Sequence, residues 1–152
     1  MANDSVVIPV TDDPDTAGFW SAARAEKLVV QRCGDCGKMR FPPRPVCSCG
    51  SFDMHWHEVS GNGHVWSYAI AHAPTLPAFA DMVPYPFAVI ELADAPYLRM
   101  VGNLAASADA PINSIPQNEI FIGQPVCVAF RRVTDAVTLP VWIPTAKLEA
   151  AQ

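Results

Sequence analysis

The segment QRCGDCGKMRFPPRPVCSCG, residues 31–50, holds four of the chain's five cysteines: Cys33, Cys36, Cys47 and Cys49. Cys33-Gly34-Asp35-Cys36-Gly37 has the form of a metal knuckle. Two thiolates in a tight turn converge on one ion, and the glycine after the second supplies the positive φ the turn needs. Cys47-Ser48-Cys49-Gly50 repeats that form after ten intervening residues. The opening Met1-Ala2-Asn3-Asp4-Ser5 has no basic region leading into an apolar run, so no export signal is read there and the expected compartment is the cytoplasm. In that setting clustered cysteines point to metal ligation rather than disulfides. Zinc on four thiolates, one per chain, is the expected occupant. Its role is structural, because four protein ligands leave no position open for water. The second pair is C-x-C where zinc ribbons normally carry C-x-x-C. Sulfurs sharing one zinc stand about 3.8 Å apart, which an i,i+2 pair meets only with altered backbone geometry. His55 and His57 are the substitute ligands within reach in sequence. The simpler reading places both on one surface of a strand.

Outward from this segment, residues 1–14 are polar and proline-containing and read as a flexible N-terminus. Asp15 or Thr16 can cap a short helix running to about Lys27, with Phe19, Trp20 and Ala23 on one face. Leu28-Val29-Val30-Gln31 reads as a strand entering the first knuckle. The arm Arg40-Phe41-Pro42-Pro43-Arg44-Pro45 cannot be helical. Residues 15–59 thus form a helix and ribbon unit.

From residue 60 to 145 the pattern is all-β. After a Gly61-Asn62-Gly63 turn, His64 to Ala73 alternates as one long strand. One face carries His64, Trp66, Tyr68, Ile70 and His72, and the other carries Val65, Ser67, Ala69 and Ala71. For Trp66 and Tyr68 the first reading is barrel core. Pro74 to Pro86 is a proline-rich loop with Leu76 and Phe79. Strands are predicted over Phe87–Leu92, Tyr97–Asn103, Val126–Val133 and Thr138–Trp142, with 146–152 as a tail. Five short strands after a ribbon make a mainly β chain ending in a small closed barrel.

Hydrophobic residues make up 51% and charged residues 16%, a globular balance. No run of about 18 apolar residues is present to span a membrane. Six basic residues (Arg24, Lys27, Arg32, Lys38, Arg40, Arg44) meet only Glu26 and Asp35 within residues 24–44. That is net +4 within a chain of net −5, which leaves −9 elsewhere. A basic patch on an acidic protein suits a compact polyanion better than a long nucleic-acid backbone. No nucleophile elbow, phosphate loop, dinucleotide fingerprint or His-Glu-x-x-His is present. Glu91 lies singly within an apolar strand, and Cys127 reads as a small buried hydrophobe.

Taken in order, Phe19-Trp20, Gln31 to Gly37, Pro42-Pro43-Arg44, Cys47 to Ser51, Trp56, Val59 to Gly63, Val65 to Tyr68, Pro84-Tyr85, Ile90-Glu91-Leu92, Ile122 to Val126 and Leu139-Pro140 resemble the DUF35 family, from about residue 16 to 145. The shortened second knuckle departs from the family pattern. The resemblance implies a rubredoxin-like zinc ribbon followed by a five-stranded OB-fold barrel. It also implies a non-catalytic accessory subunit that binds acyl-CoA and supports a thiolase-superfamily enzyme (a thiolase or lipid-transfer-type aldolase) or a hydratase, in lipid or steroid side-chain metabolism. A hetero-oligomer, with a homodimer inside it as one arrangement, follows from the same resemblance. On that reading Arg32, Lys38, Arg40 and Arg44 meet the CoA phosphates, and Trp66, Tyr68 and His72 offer stacking surface. The loop with Leu76 and Phe79 lines a channel for the pantetheine arm or meets a partner. The alternatives are a single-stranded nucleic-acid-binding OB-fold, for which the acidic barrel is a poor match, and a scaffold that contacts no ligand.

Overall fold

The computed structural model describes residues 7–145. The 146–152 tail and the first six residues of the N-terminal segment lie outside that range. Helix α1 (Ala17–Arg24) ends three residues before the predicted Lys27. Glu26 takes a φ of 59°, and the Lys27 N–H bonds the Ala22 carbonyl at 2.9 Å. This is a Schellman-type stop, with glutamate where glycine is usual. Thr16 stands at the N-cap without a side-chain capping bond. Phe19 and Ala23 are the buried face of α1.

A three-stranded antiparallel sheet follows, ordered β2-β1-β3, from β1 (Val29–Cys33), β2 (Met39–Arg40) and β3 (Met54–Glu58). The five remaining strands are β4 (Asn62–Ala71), β5 (Tyr85–Leu92), β6 (Ala95–Asn103), β7 (Pro125–Arg132) and β8 (Thr138–Pro144). They form an antiparallel sheet in the order β6-β5-β4-β7-β8. One hydrophobic cluster runs through both sheets, joining Phe19, Leu28 and Val30 to Val65, Ile90, Leu92, Leu104 and Trp142.

The five-stranded sheet curls, but its closure is partial. Its edge strands meet at a single parallel bridge between Leu104 and Trp142. Trp142 is buried there, and Gly102 makes room for it, since a Cβ at 102 would stand 2.7 Å from the indole. Away from that bridge, α1 packs on β8. Pro140 and Pro144, which have no amide donor, sit in this edge strand, where proline is tolerated.

The predicted alternation of β4 is corrected by a bulge. Val65 pairs with Ile90, yet Ser67 pairs with Val89, so Trp66 is an extra residue. Two neighbours then point outward together, and the parity flips beyond them. Trp66 is 53% exposed rather than core, while Tyr68 and Ile70 turn inward and pack on the core. His72 follows the end of β4 and is exposed. The five residues predicted to share one face are therefore divided.

Candidate metal centre and anion pocket

The first knuckle is the β1–β2 hairpin turn. Cys33 ends β1, its N–H bonds the Lys38 carbonyl at 3.0 Å, and the Gly37 N–H returns to the Cys33 carbonyl at 3.0 Å. The second is a turn closed by Gly50 N–H to the Cys47 carbonyl at 2.9 Å and by Cys47 N–H to the Ser51 carbonyl at 2.8 Å. Gly37 and Gly50 have φ of 71° and 88°, the left-handed region that both turns require. The Gly34 N–H bonds the Asp53 carbonyl at 3.0 Å and ties the two knuckles together.

The four sulfurs all lie within 4.8 Å of one another. Cys33 and Cys49 Sγ are 3.7 Å apart, and Cys36 and Cys47 Sγ are 3.6 Å apart. A tetrahedral zinc with sulfurs at about 2.3 Å needs them roughly 3.8 Å apart, so this donor set fits one zinc. The short C-x-C spacing is absorbed by the turn. Among the described residues the only such cluster is these four cysteines, and His55 and His57 stand on β3 outside it.

The sulfurs are electrostatically unequal. The Cys49 backbone N–H holds the Cys47 thiol down at about 6, against the pull of burial. Cys33 is lowered as well, chiefly by the Cys36 backbone N–H. At Cys49 the Ser51 backbone N–H favours the thiolate. It is outweighed by the Cys36, Cys47 and Cys33 sulfurs together with burial, and the thiol is pushed up to about 12. A crowded set of thiols that cannot all ionise alone is one that a dication stabilises.

Beside the second knuckle lies a pocket of about 420 Å³ between the ribbon and the start of β6. Lys38, Arg40 and Arg44 line it, and no carboxylate does. Its floor is organised by Gln31, which is fully buried. The Gln31 Oε1 accepts the Arg40 Nε–H at 2.6 Å and the Arg44 backbone N–H at 2.9 Å, while Arg40 Nη2 donates to the Arg44 carbonyl at 2.8 Å. Arg40 Nη1 and Gln31 Nε2 are buried without an acceptor. The fourth predicted cation, Arg32, donates to the Gly37 carbonyl at 3.2 Å and lies outside this lining.

The predicted stacking residues do not join this pocket. Trp66 stands on the outer face of the barrel sheet under the Arg99 guanidinium, 4.9 Å from the ring centre, and Arg99 pairs with Glu91, which also faces His64. Tyr68 packs inward. Phe79 sits in a 3₁₀ turn (Pro77–Phe79), 5.8 Å from the Tyr85 ring. The aromatic that does line the pocket is Tyr97, whose Oη accepts the Met39 backbone N–H at 3.3 Å while the residue stays 57% exposed. Nothing in local sequence links Tyr97 to the ribbon, because the contact joins two sheets. Gln31 did leave a trace, a lone amide ending the apolar run Leu28-Val29-Val30.

Residues 20–55 match the ChsH2 rubredoxin-like zinc ribbon domain, and residues 56–131 match the ChsH2 C-terminal OB-fold domain. A protein of Methanocaldococcus jannaschii named "DUF35 domain-containing scaffold protein" is 31% identical over 111 residues, covering 71% of this chain and 70% of that one. A protein of Thermomonospora curvata named "Probable enoyl-CoA hydratase alpha subunit" is 39% identical over 136 residues, 89% of this chain. This chain spans only 39% of that protein's length. A solved structure described as "Ltp2-ChsH2(DUF35) aldolase" superposes with a TM-score of 0.77 at 37% identity, covering 91% of this chain and 100% of the other. The ribbon is thus a rubredoxin-like zinc ribbon whose four close cysteines could bind one zinc.

Proposed function

The chain belongs to the DUF35 family, and from that premise we propose that it is a non-catalytic accessory subunit of an acyl-CoA-processing enzyme in lipid metabolism. The observation that carries this reading is the 420 Å³ pocket lined by three cations and no carboxylate. An ion-paired surface cation is common, but three cations lining one concavity with no carboxylate among them suit a polyanion. In this reading Arg44 and Lys38 meet the phosphates of CoA, Arg40 is the fixed cation of the floor, and Tyr97 supplies the flat wall for the adenine.

Zinc, when bound by Cys33, Cys36, Cys47 and Cys49, supplies folding energy to the ribbon. Cys47 also lines the pocket, so the metal-held turn fixes one wall of the ligand site. No histidine or carboxylate lines the pocket, and its one thiol, Cys47, belongs to the metal-ligand set. The supporting relatives are named as a scaffold protein, a hydratase subunit and an aldolase complex. Together they favour a partner enzyme of the aldolase or hydratase kind. We place its docking on the outer sheet face, where Trp66, Phe87 and Val101 are exposed.

Single-stranded nucleic acid is the weaker reading. The three barrel arginines are engaged within the fold: Arg99 with Glu91, Arg132 with Asp135, and Arg131 with the Ala108 and Ala110 carbonyls. That leaves no cationic track beside the exposed tryptophan.

The test is co-expression with candidate partner enzymes of the thiolase superfamily, followed by size-exclusion chromatography and acyl-CoA turnover with and without this chain. Co-elution with a gain of turnover is expected. A chain that elutes alone and leaves the enzyme unchanged overturns the pairing.

A further inference from the structure

We propose that the apolar pocket at the barrel seam holds the pantetheine arm of a CoA thioester whose phosphates occupy the basic pocket. The inference rests on the acyl-CoA reading above and moves the arm away from the Leu76–Phe79 loop, which lines neither pocket. The seam pocket has a volume of about 320 Å³. It opens where β6 and β8 part, between Met100 and Val101 on one edge strand and Pro140 on the other, with Phe19 and Trp20 of α1 across it. No charged residue lines it.

Phe41 and Pro42 line both cavities. A ridge two residues wide therefore separates a cationic compartment from an apolar one. The ridge is stiff: the Phe41 ring packs on Phe19 at 5.4 Å, and Phe19 packs edge-on to Trp20 at 5.0 Å. Proline at 42 and 43 has no backbone donor, so the ridge presents a largely apolar edge.

The order of compartments matches the order of groups in CoA. Its pyrophosphate is followed, after one methylene, by a quaternary carbon carrying two methyl groups, and the rest of the arm, with a hydroxyl and two amides, follows. A polyanion that steps to an apolar group within a few bonds fits a cationic pocket that steps to an apolar one across a single ridge. An adenine nucleotide fills only the first compartment. Val101 is two-thirds exposed at the seam and pairs with Val89 on the outer sheet face. An arm leaving the seam pocket therefore emerges on the face assigned above to the partner enzyme, with its thioester end toward that enzyme.

The proposal is tested by isothermal titration of the full zinc-loaded chain with ADP and with dephospho-CoA, which differ by the arm and by one terminal phosphate charge. Burial of a methyl group gives roughly fourfold in affinity, so dephospho-CoA is expected to bind at least about tenfold more tightly than ADP. Val101→Trp, which fills the mouth of the seam pocket, is expected to bring the two ligands to parity. Trp20→Ala, which removes the opposite wall, is expected to reduce the difference as well, with circular dichroism as the check on folding. Equal affinities in the unaltered chain overturn the arm site while leaving nucleotide binding intact. A tenfold difference that survives both substitutions overturns it too. Failure of ADP, dephospho-CoA and CoA alike to bind removes the acyl-CoA reading itself, and this inference with it.

Discussion

The ribbon and the barrel are held together by different physics, and the ligand site lies where they meet. The ribbon's strands are short, with β2 only two residues long, and its two turns are organised around four sulfurs. The barrel's strands run from seven to ten residues and converge on buried Ile90, Leu92, Leu104 and Trp142. The ribbon should therefore fail by losing an ion, and the barrel by losing apolar volume. A pocket walled by both inherits both failure modes.

The largest effect should come from the metal. Chelation is expected to unfold the knuckles, at a cost on the order of 10 kcal/mol of binding energy, and to abolish CoA affinity while the barrel's near-ultraviolet dichroism persists. If the whole chain melts with the metal, the two regions are one cooperative unit and the contrast fails. The same contrast predicts a pH signature. Ligands must be deprotonated to bind zinc, so falling pH should release the ion as protons compete for the four thiolates. A colorimetric zinc indicator followed against pH reads this directly.

Within the barrel, Trp142→Ala should cost about 3–5 kcal/mol by denaturant unfolding and leave zinc stoichiometry unchanged. At the shared wall, Gln31→Leu removes the acceptor that fixes Arg40 and the Arg44 backbone. It should cost about 1–3 kcal/mol and weaken CoA binding in titration, with zinc still bound. Smallest of all for stability, Trp66→Ser should fall within about 0.5 kcal/mol of the unaltered chain. Its effect should appear instead in the affinity of the partner complex.

These differences also explain what the sequence disclosed. The knuckles were legible because metal geometry imposes residue type and spacing locally, and even the short Cys47–Cys49 pair lands within the sulfur cluster. The strands were legible to within two residues for β5 to β8, from turn residues and alternation. The face of Trp66 was not, because a bulge depends on the partner strand: Ser67 opposite Val89 is a fact about two strands. The same holds for Tyr97, which reaches the ribbon through one hydrogen bond to Met39, and for the seam pocket, which exists because two edge strands diverge. Lys38, Arg40 and Arg44 were found as a charge cluster in sequence. That Arg32 would turn toward the first knuckle was decided by the hairpin's own carbonyl at Gly37.

The bulge in β4 has an evolutionary consequence. With Val65 opposite Ile90 and Ser67 opposite Val89, every other side chain of the strand keeps its face whether or not Trp66 is there. A single codon gained or lost at this place adds or removes a large aromatic from the outer surface and leaves the inward set Val65, Tyr68 and Ile70 in register. A lineage can thus change what its barrel recognises in one step, without redesigning what holds the barrel together.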